Sequence, residues 1–157
     1  MITAVGPWVI EHDLDMTRRC YAQLPWGNDC DCSPCRNLDA LGSDAFPPDV
    51  RQVFNELGID IHKPAEVYHC GRLKNGLHFY GGWYHCVGHI LSGPEAWQPE
   101  PAPSTLQRLH ATPFSEHFSI GCSPQREVAP AVFADLPLVQ VHFSAELPWV
   151  LDEAEPT

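Results

Sequence analysis

The sequence predicts an α+β fold in which two short helices in the N-terminal third precede a system of antiparallel β-strands. Helix signals lie before residue 60, the strongest turn of the chain is Asn75-Gly76, and alternating apolar residues follow that turn. We expect a single domain over residues 1–157, because a chain of 157 residues is close to the usual size of one domain.

The two helices are predicted from their start and stop signals. Ser33-Pro34 is typical of a helix start, since serine caps exposed amides and proline fits the first turn, and Gly42 indicates the end after Leu41. The second helix follows Pro47 and ends at Gly58. Its apolar residues fall at i, i+3, i+4 and i+7 and predict a core-facing stripe: Val50, Val53, Phe54 and Leu57.

Strand patterns predict most of the remaining chain. One or two strands are expected within residues 2–21, and the Asn75-Gly76 turn indicates a hairpin over about 65–73 and 77–91. Gly81-Gly82 inside this hairpin suggests a bulge or a close backbone approach. Further strands are expected near residues 114–120 and 139–143, whereas 93–104 is predicted to be a Pro-rich surface loop and 152–157 a flexible acidic tail.

The charge balance limits the classes of partner. Nine Lys and Arg stand against twenty Asp and Glu, which gives a formal net charge of −11. A field of this sign repels phosphate backbones and anionic lipid headgroups, so we expect neither nucleic acid nor a membrane surface as a partner. A protein partner stays open, and the sequence identifies no small molecule.

The compartment predicted for the chain is the cytoplasm. No run approaches the roughly 18 to 20 apolar residues of a membrane span, and the first residues lack the pattern of a signal peptide. Thiols are normally reduced in the cytoplasm, and the cysteine count of seven is odd. We therefore interpret the cysteines first as metal ligands, catalytic thiols or core residues.

Three cysteines form the most distinctive chemical feature of the sequence. Cys30, Cys32 and Cys35 make a C-x-C-x-x-C motif, in which the turn between the last two brings both sulfurs within reach of one Zn²⁺ ion. An extended approach places Cys30 on the same side. Cys35 would lie in the first turn of a helix, where exposed amides favour a thiolate, and Arg36 offsets part of the charge.

A fourth ligand is needed for a closed tetrahedral site. We predict His85, with Cys20 as the next choice because it precedes the motif closely. The other candidates are His69, Cys70, Cys86 and His89. If no protein group completes the site, water or a substrate would take the open position and metal-assisted hydrolysis becomes an alternative function.

A thiol oxidoreductase is a further alternative. Cys32-Ser33-Pro34-Cys35-Arg36 resembles the C-x-P-C-[KR] active site of thioredoxin-like proteins, which also lies at a helix start. The resemblance covers five residues, and Asp31 stands where that family usually has Trp. It implies redox chemistry at Cys32 and Cys35.

A second resemblance covers most of the chain. The runs that carry it are Cys30 to Leu38, Leu57 to Asp60, Lys63 to Glu66, Tyr80 to His85 and Leu147 to Leu151. Together they resemble an uncharacterised bacterial family with a C-x-C-x-x-C-[KR]-N motif and a closing Leu-Pro-Trp-Val-Leu. The resemblance implies that the cysteine cluster belongs to the design of the family, and it brings no activity with it. The sequence thus favours a zinc-binding protein with a structural cysteine site and a binding or interaction role.

Overall fold

A computed structural model describes residues 1–27, 30–109 and 111–156 and has the predicted α+β architecture. The α-helices in these ranges are α1 (Leu14–Ala22), α2 (Ser33–Leu41) and α3 (Pro48–Leu57), with short 3-10 helices at Gly42–Ala45 and Ala131–Phe133. The strands are β1 (Ile2–Val5), β2 (Trp8–His12), β3 (Glu66–Arg72), β4 (His78–Ser92), β5 (Trp97–Pro99), β6 (Gln107–Leu109), β7 (Thr112–Ser115), β8 (Phe118–Ser123) and β9 (Leu138–Leu147).

The main sheet is antiparallel and is built around the long strand β4. Its order is β1-β2-β4-β9-β8-β7, and β3 pairs with the first half of β4 on the same edge that β2 occupies further along. Strand β9 pairs with β4 without interruption from His78↔Leu147 to Val87↔Leu138. This unbroken register means that alternate residues of β4 face opposite sides of the sheet.

Both predicted helices are confirmed with the predicted ends. Helix α2 ends at Gly42, and α3 ends at Gly58, which adopts the left-handed conformation at φ 81°. At the start of α2 the structure differs by one position. Cys32, not Ser33, is the N-cap residue, and no side chain caps this end.

Helix α1 overlaps residues 2–21, for which the sequence patterns predict only strands. Its N-terminus is capped by Asp13, whose side chain accepts a hydrogen bond of 2.9 Å from the Met16 amide. The buried positions of the helix are Thr17, Cys20 and Tyr21. Because these residue types are not strongly apolar, a pattern of hydrophobic periodicity does not detect the helix.

An aromatic core holds α3 and the chain before it against one face of the sheet. Tyr84 on β4 is 1% exposed and packs against Phe54 of α3 and Phe143 of β9, with ring centroids 5.1 and 5.9 Å apart. The Tyr84 hydroxyl donates to the Ile61 carbonyl at 2.8 Å, so its one polar atom is satisfied. This packing holds α3 against one face of the sheet. Tyr80 lies on the same face, because it is four residues before Tyr84 on β4.

The hairpin of β3 and β4 is confirmed. The close approach predicted at Gly81-Gly82 is also present, since a side chain of β3 lies directly against Gly81. A Cβ atom at Gly81 would overlap the ring of Tyr68 on the partner strand. The Pro-rich segment, by contrast, is not wholly irregular, because β5 within it pairs with β6. No helix in the described ranges has both the length and the apolar character needed to cross a membrane.

Candidate metal centre

The structure brings the three predicted cysteines together. The sulfurs of Cys30, Cys32 and Cys35 all lie within 4.8 Å of one another, and those of Cys30 and Cys32 are 3.0 Å apart. None of the seven cysteines, all of which lie in the described ranges, forms a disulfide. The three cysteines therefore form a group that can hold a metal ion.

The start of α2 explains why the sulfurs converge. Cys32 is the N-cap residue in extended conformation, and its carbonyl accepts the Arg36 amide at 3.0 Å in the first helical turn. Cys35 lies three residues further on, so it is on the same side of the helix as the cap. Cys30 approaches from the preceding segment, two residues before the cap.

The three thiols differ in burial and in acidity. Cys30 and Cys32 are exposed, whereas Cys35 is 6% exposed and forms the inner wall of the group. The hydrogen bond with Cys32 lowers the pKa of Cys30. Burial raises the pKa of Cys35, and the two neighbouring sulfurs raise it further. A divalent ion reverses such a rise, because a coordinated thiol loses its proton.

The positively charged side chain of Arg36 lies beside the motif and pairs with acidic groups. Arg36 makes an ion pair of 2.7 Å with Glu153 and a longer one of 3.8 Å with Asp31. The side chains of this network are between 40% and 96% exposed, so the pairs contribute little to stability. The positive charge of Arg36 is therefore shared with two carboxylates and does not compensate the sulfurs alone.

Two buried residues that the sequence analysis assigned no role anchor the motif to the sheet. The hydroxyl of Tyr80 on β4 donates to the Pro34 carbonyl, between Cys32 and Cys35, at 2.7 Å. Asn37 is fully buried and donates to the Tyr80 hydroxyl at 3.3 Å. The position of Asn37 directly after the C-x-x-C-R run is the one feature of the sequence that points to this residue. A single sequence does not indicate that Asn37 contacts Tyr80.

The structure does not bring His85 to the group. The imidazole of His85 is 1% exposed, and its Nε2 lies 3.1 Å from the Gln140 side chain. Strand alternation places His85 on the sheet face opposite Tyr80, the residue that contacts the cysteine motif. Its buried Nδ1 has no hydrogen-bond partner among the described residues.

The other candidates for a fourth ligand also lie elsewhere in the described chain. Cys20 and Cys86 belong to the hydrophobic core, and burial raises the pKa of Cys86 to about 12. His69 is paired with His78, their ring nitrogens 2.9 Å apart. Cys70 is exposed on β3, and His89 is exposed and lines a separate surface cavity. Within the described ranges the group consists of three ligands.

Comparisons of the chain with protein-family models, with curated proteins and with solved structures find no match. The C-x-C-x-x-C arrangement alone does not establish a family. The resemblance to a bacterial family stays a prediction.

Proposed function

We propose that the chain is a zinc-binding protein in which Cys30, Cys32 and Cys35 bind one Zn²⁺ ion through their sulfurs. The observation that carries the proposal is the convergence of the three sulfurs within 4.8 Å at the start of α2. Zinc suits this group because cysteine thiolates are common ligands of Zn²⁺ and because Zn²⁺ is not redox-active. The ion would fix the segment before the helix onto its first turn.

The fourth position of the ion is proposed to lie outside the group. Two of the three cysteines are exposed, so water or a donor atom of a partner can reach the metal from the solvent side. The formal net charge of −11 favours a cationic or neutral partner protein over nucleic acid or a membrane surface. We propose a cytoplasmic binding or interaction role, since that compartment keeps the thiols reduced.

A zinc competition experiment tests the proposal. The reduced chain is titrated against a chromophoric chelator, and we expect one tightly bound Zn²⁺ per chain. Cys32→Ser removes one sulfur ligand and should weaken binding by about 100-fold or more. Cys122→Ala is the control, because Cys122 is buried on β8 and lies outside the group. Equal zinc affinities for wild type and Cys32→Ser would contradict the proposal.

A thiol oxidoreductase is the second candidate, and the contrast in burial favours it. Cys32 is exposed and Cys35 is buried, as expected of an attacking thiol and a resolving thiol. The Cys32 thiolate would attack a substrate disulfide and release one substrate thiolate. Cys35 would then displace the second, leaving the substrate reduced by two electrons and a Cys32–Cys35 disulfide in the protein.

Alkylation distinguishes the two candidates. Fast and selective labelling of Cys32 at neutral pH in the absence of a chelator supports the oxidoreductase. Protection of all three cysteines until a chelator is added supports the zinc site. Both outcomes are read from the same peptides by mass spectrometry.

A further inference from the structure

Helix α2 is joined to the rest of the molecule by a chain of buried hydrogen bonds that begins inside the cysteine motif. The Pro34 carbonyl accepts from the Tyr80 hydroxyl at 2.7 Å, and that hydroxyl accepts from the Asn37 side-chain amide at 3.3 Å. Pro34 lies between Cys32 and Cys35. A hydrogen bond that holds this carbonyl in place therefore also restrains the first turn of α2, which carries the sulfurs of Cys32 and Cys35.

Asn37 extends the chain to the segment after β9. Its amide also donates to the Pro148 carbonyl at 3.0 Å, and its side-chain oxygen accepts from the Val150 amide at 2.7 Å. Both amide protons and the oxygen of Asn37 are thus used, and both Asn37 and Tyr80 are 0% exposed. Burial makes each of these bonds costly to lose, because a freed donor or acceptor would stay without water.

Tyr80 lies beside the sulfurs, and its electrostatic environment reflects this position. Burial raises the pKa of Tyr80 to about 12, and the charges of Cys35 and Cys32 add to the rise. Tyr84 has no such neighbours among the cysteines of the motif, although it lies on the same face of the same strand.

We propose that Tyr80 and Asn37 are positioning residues of the metal centre, which hold the first turn of α2, from Cys32 to Cys35, in the geometry that binds the ion. They act through the Pro34 carbonyl and do not touch the metal. This inference rests on the proposed zinc function. It adds that the affinity of the site is set in part by hydrogen bonds that reach the sheet and the 148–150 segment.

Tyr84 supplies a matched control for the test. Tyr80 and Tyr84 lie four residues apart on β4, are both buried, and both donate to a main-chain carbonyl, at 2.7 and 2.8 Å. Only the carbonyl bonded to Tyr80 belongs to the cysteine motif. Tyr80→Phe and Tyr84→Phe thus each remove one hydrogen bond to a main-chain carbonyl at similar depth, and Tyr80→Phe also removes the acceptor of the Asn37 amide. Only the bonds lost in Tyr80→Phe connect to the sulfurs.

The experiment measures Zn²⁺ affinity by chelator competition for wild type and both variants, together with the visible spectrum of the Co²⁺-loaded proteins. We expect Tyr80→Phe to weaken zinc binding by about 10- to 100-fold and to alter the cobalt–thiolate bands. Tyr84→Phe should stay within about twofold of wild type and keep its spectrum. Equal affinities for the two variants would overturn the inference while leaving the zinc site intact. A wild type that binds no zinc would instead refute the proposed function.

Hydrogen exchange of the wild-type protein keeps the inference testable if Tyr80→Phe does not fold. Zinc should slow amide exchange at residues 149–151, which are linked to the motif through Asn37. It should leave exchange at residues 59–63, around the Tyr84 hydrogen bond, unchanged. Equal protection of the two segments, or protection of neither by bound zinc, would contradict the role of Asn37.

Discussion

Two imidazoles are buried in a polar layer on the sheet face opposite α2 and α3. His85 and His142 are 1% and 3% exposed, and Gln140 lies between them. The Gln140 oxygen accepts from the Glu127 amide at 2.8 Å and lies 3.1 Å from His85 Nε2, so the geometry assigns a proton to that nitrogen. His142 Nε2 lies 3.0 Å from the Ser123 hydroxyl. One nitrogen of each imidazole is therefore hydrogen-bonded, whereas the buried Nδ1 of His85 has no hydrogen-bond partner among the described residues.

The stability of the protein is predicted to fall as the pH is lowered from 7 to 4. Burial lowers the pKa of both His85 and His142 from 6.5 to about 4; the charge of Arg126 lowers that of His85 further, and His85 lowers that of His142. Below pH 6.5 the unfolded chain binds protons at these groups while the folded chain does not. The free energy of unfolding should therefore decrease by at most about 1.4 kcal/mol per pH unit for each imidazole.

Urea unfolding at several pH values checks this prediction. His142→Gln removes one of the two buried groups, so its free energy of unfolding should depend less steeply on pH than that of wild type. His89→Gln removes an exposed histidine from β4 and is the control. A slope for His142→Gln as steep as that of the control would show that the buried imidazole does not account for the acid sensitivity.

At the scale of elements, the segment after β9 holds α2 by two kinds of interaction of unequal strength. Asn37 contributes buried hydrogen bonds to Pro148 and Val150, whereas Arg36 contributes an exposed ion pair with Glu153. A buried amide that is lost leaves its partners unsatisfied, at a cost of about 1–3 kcal/mol. An exposed ion pair is worth about 0–1 kcal/mol. The hydrogen bonds should therefore dominate.

We predict that Asn37→Ala destabilises the protein by about 2–4 kcal/mol and that Arg36→Ala does so by less than about 1 kcal/mol. Both free energies are measured by urea unfolding with the chelator present, so that metal binding does not enter the comparison. The two residues are neighbours on α2, which makes each the control for the other. Similar losses from the two substitutions would contradict this ranking.

The same elements show what the sequence could and could not predict. Local signals such as Ser33-Pro34, Gly42 and the Asn75-Gly76 turn depend on nearby residues alone, and the elements they predict are present. The convergence of Cys30, Cys32 and Cys35 is also local. The anchoring of the motif, in contrast, depends on the hydrogen bond between Asn37 and Tyr80, which are 43 residues apart in the sequence. Their proximity follows from the sheet register, which a single sequence does not reveal.

Local sequence signals do not specify the position of a fourth ligand. His85 belongs to the densest cluster of histidine and cysteine in the sequence, but density along a strand says nothing about which sheet face meets α2. Alternation along β4 assigns Tyr80 to that face and His85 to the other. The tail predicted to be flexible likewise has contacts that sequence alone does not specify, since Glu153 and Glu155 pair with Arg36 and Arg72.

At the scale of the whole molecule, the net charge bears on metal binding. The chain carries a formal charge of −11, and three thiolates at one site would add three more negative charges. A divalent cation offsets two of these and is attracted by the field of the whole protein. The same negative field destabilises three thiolates that have no bound cation. The acidic composition therefore favours binding of a cation at this site.

X-ray absorption of the protein purified without added metal decides whether the three sulfurs share one ion. We expect close to one zinc per chain, bound by about three sulfurs near 2.3 Å and one lighter atom. The triple variant Cys30→Ser/Cys32→Ser/Cys35→Ser should contain no bound zinc. A wild-type protein without metal, or with a metal bound by nitrogen and oxygen alone, would show that the three sulfurs do not share an ion.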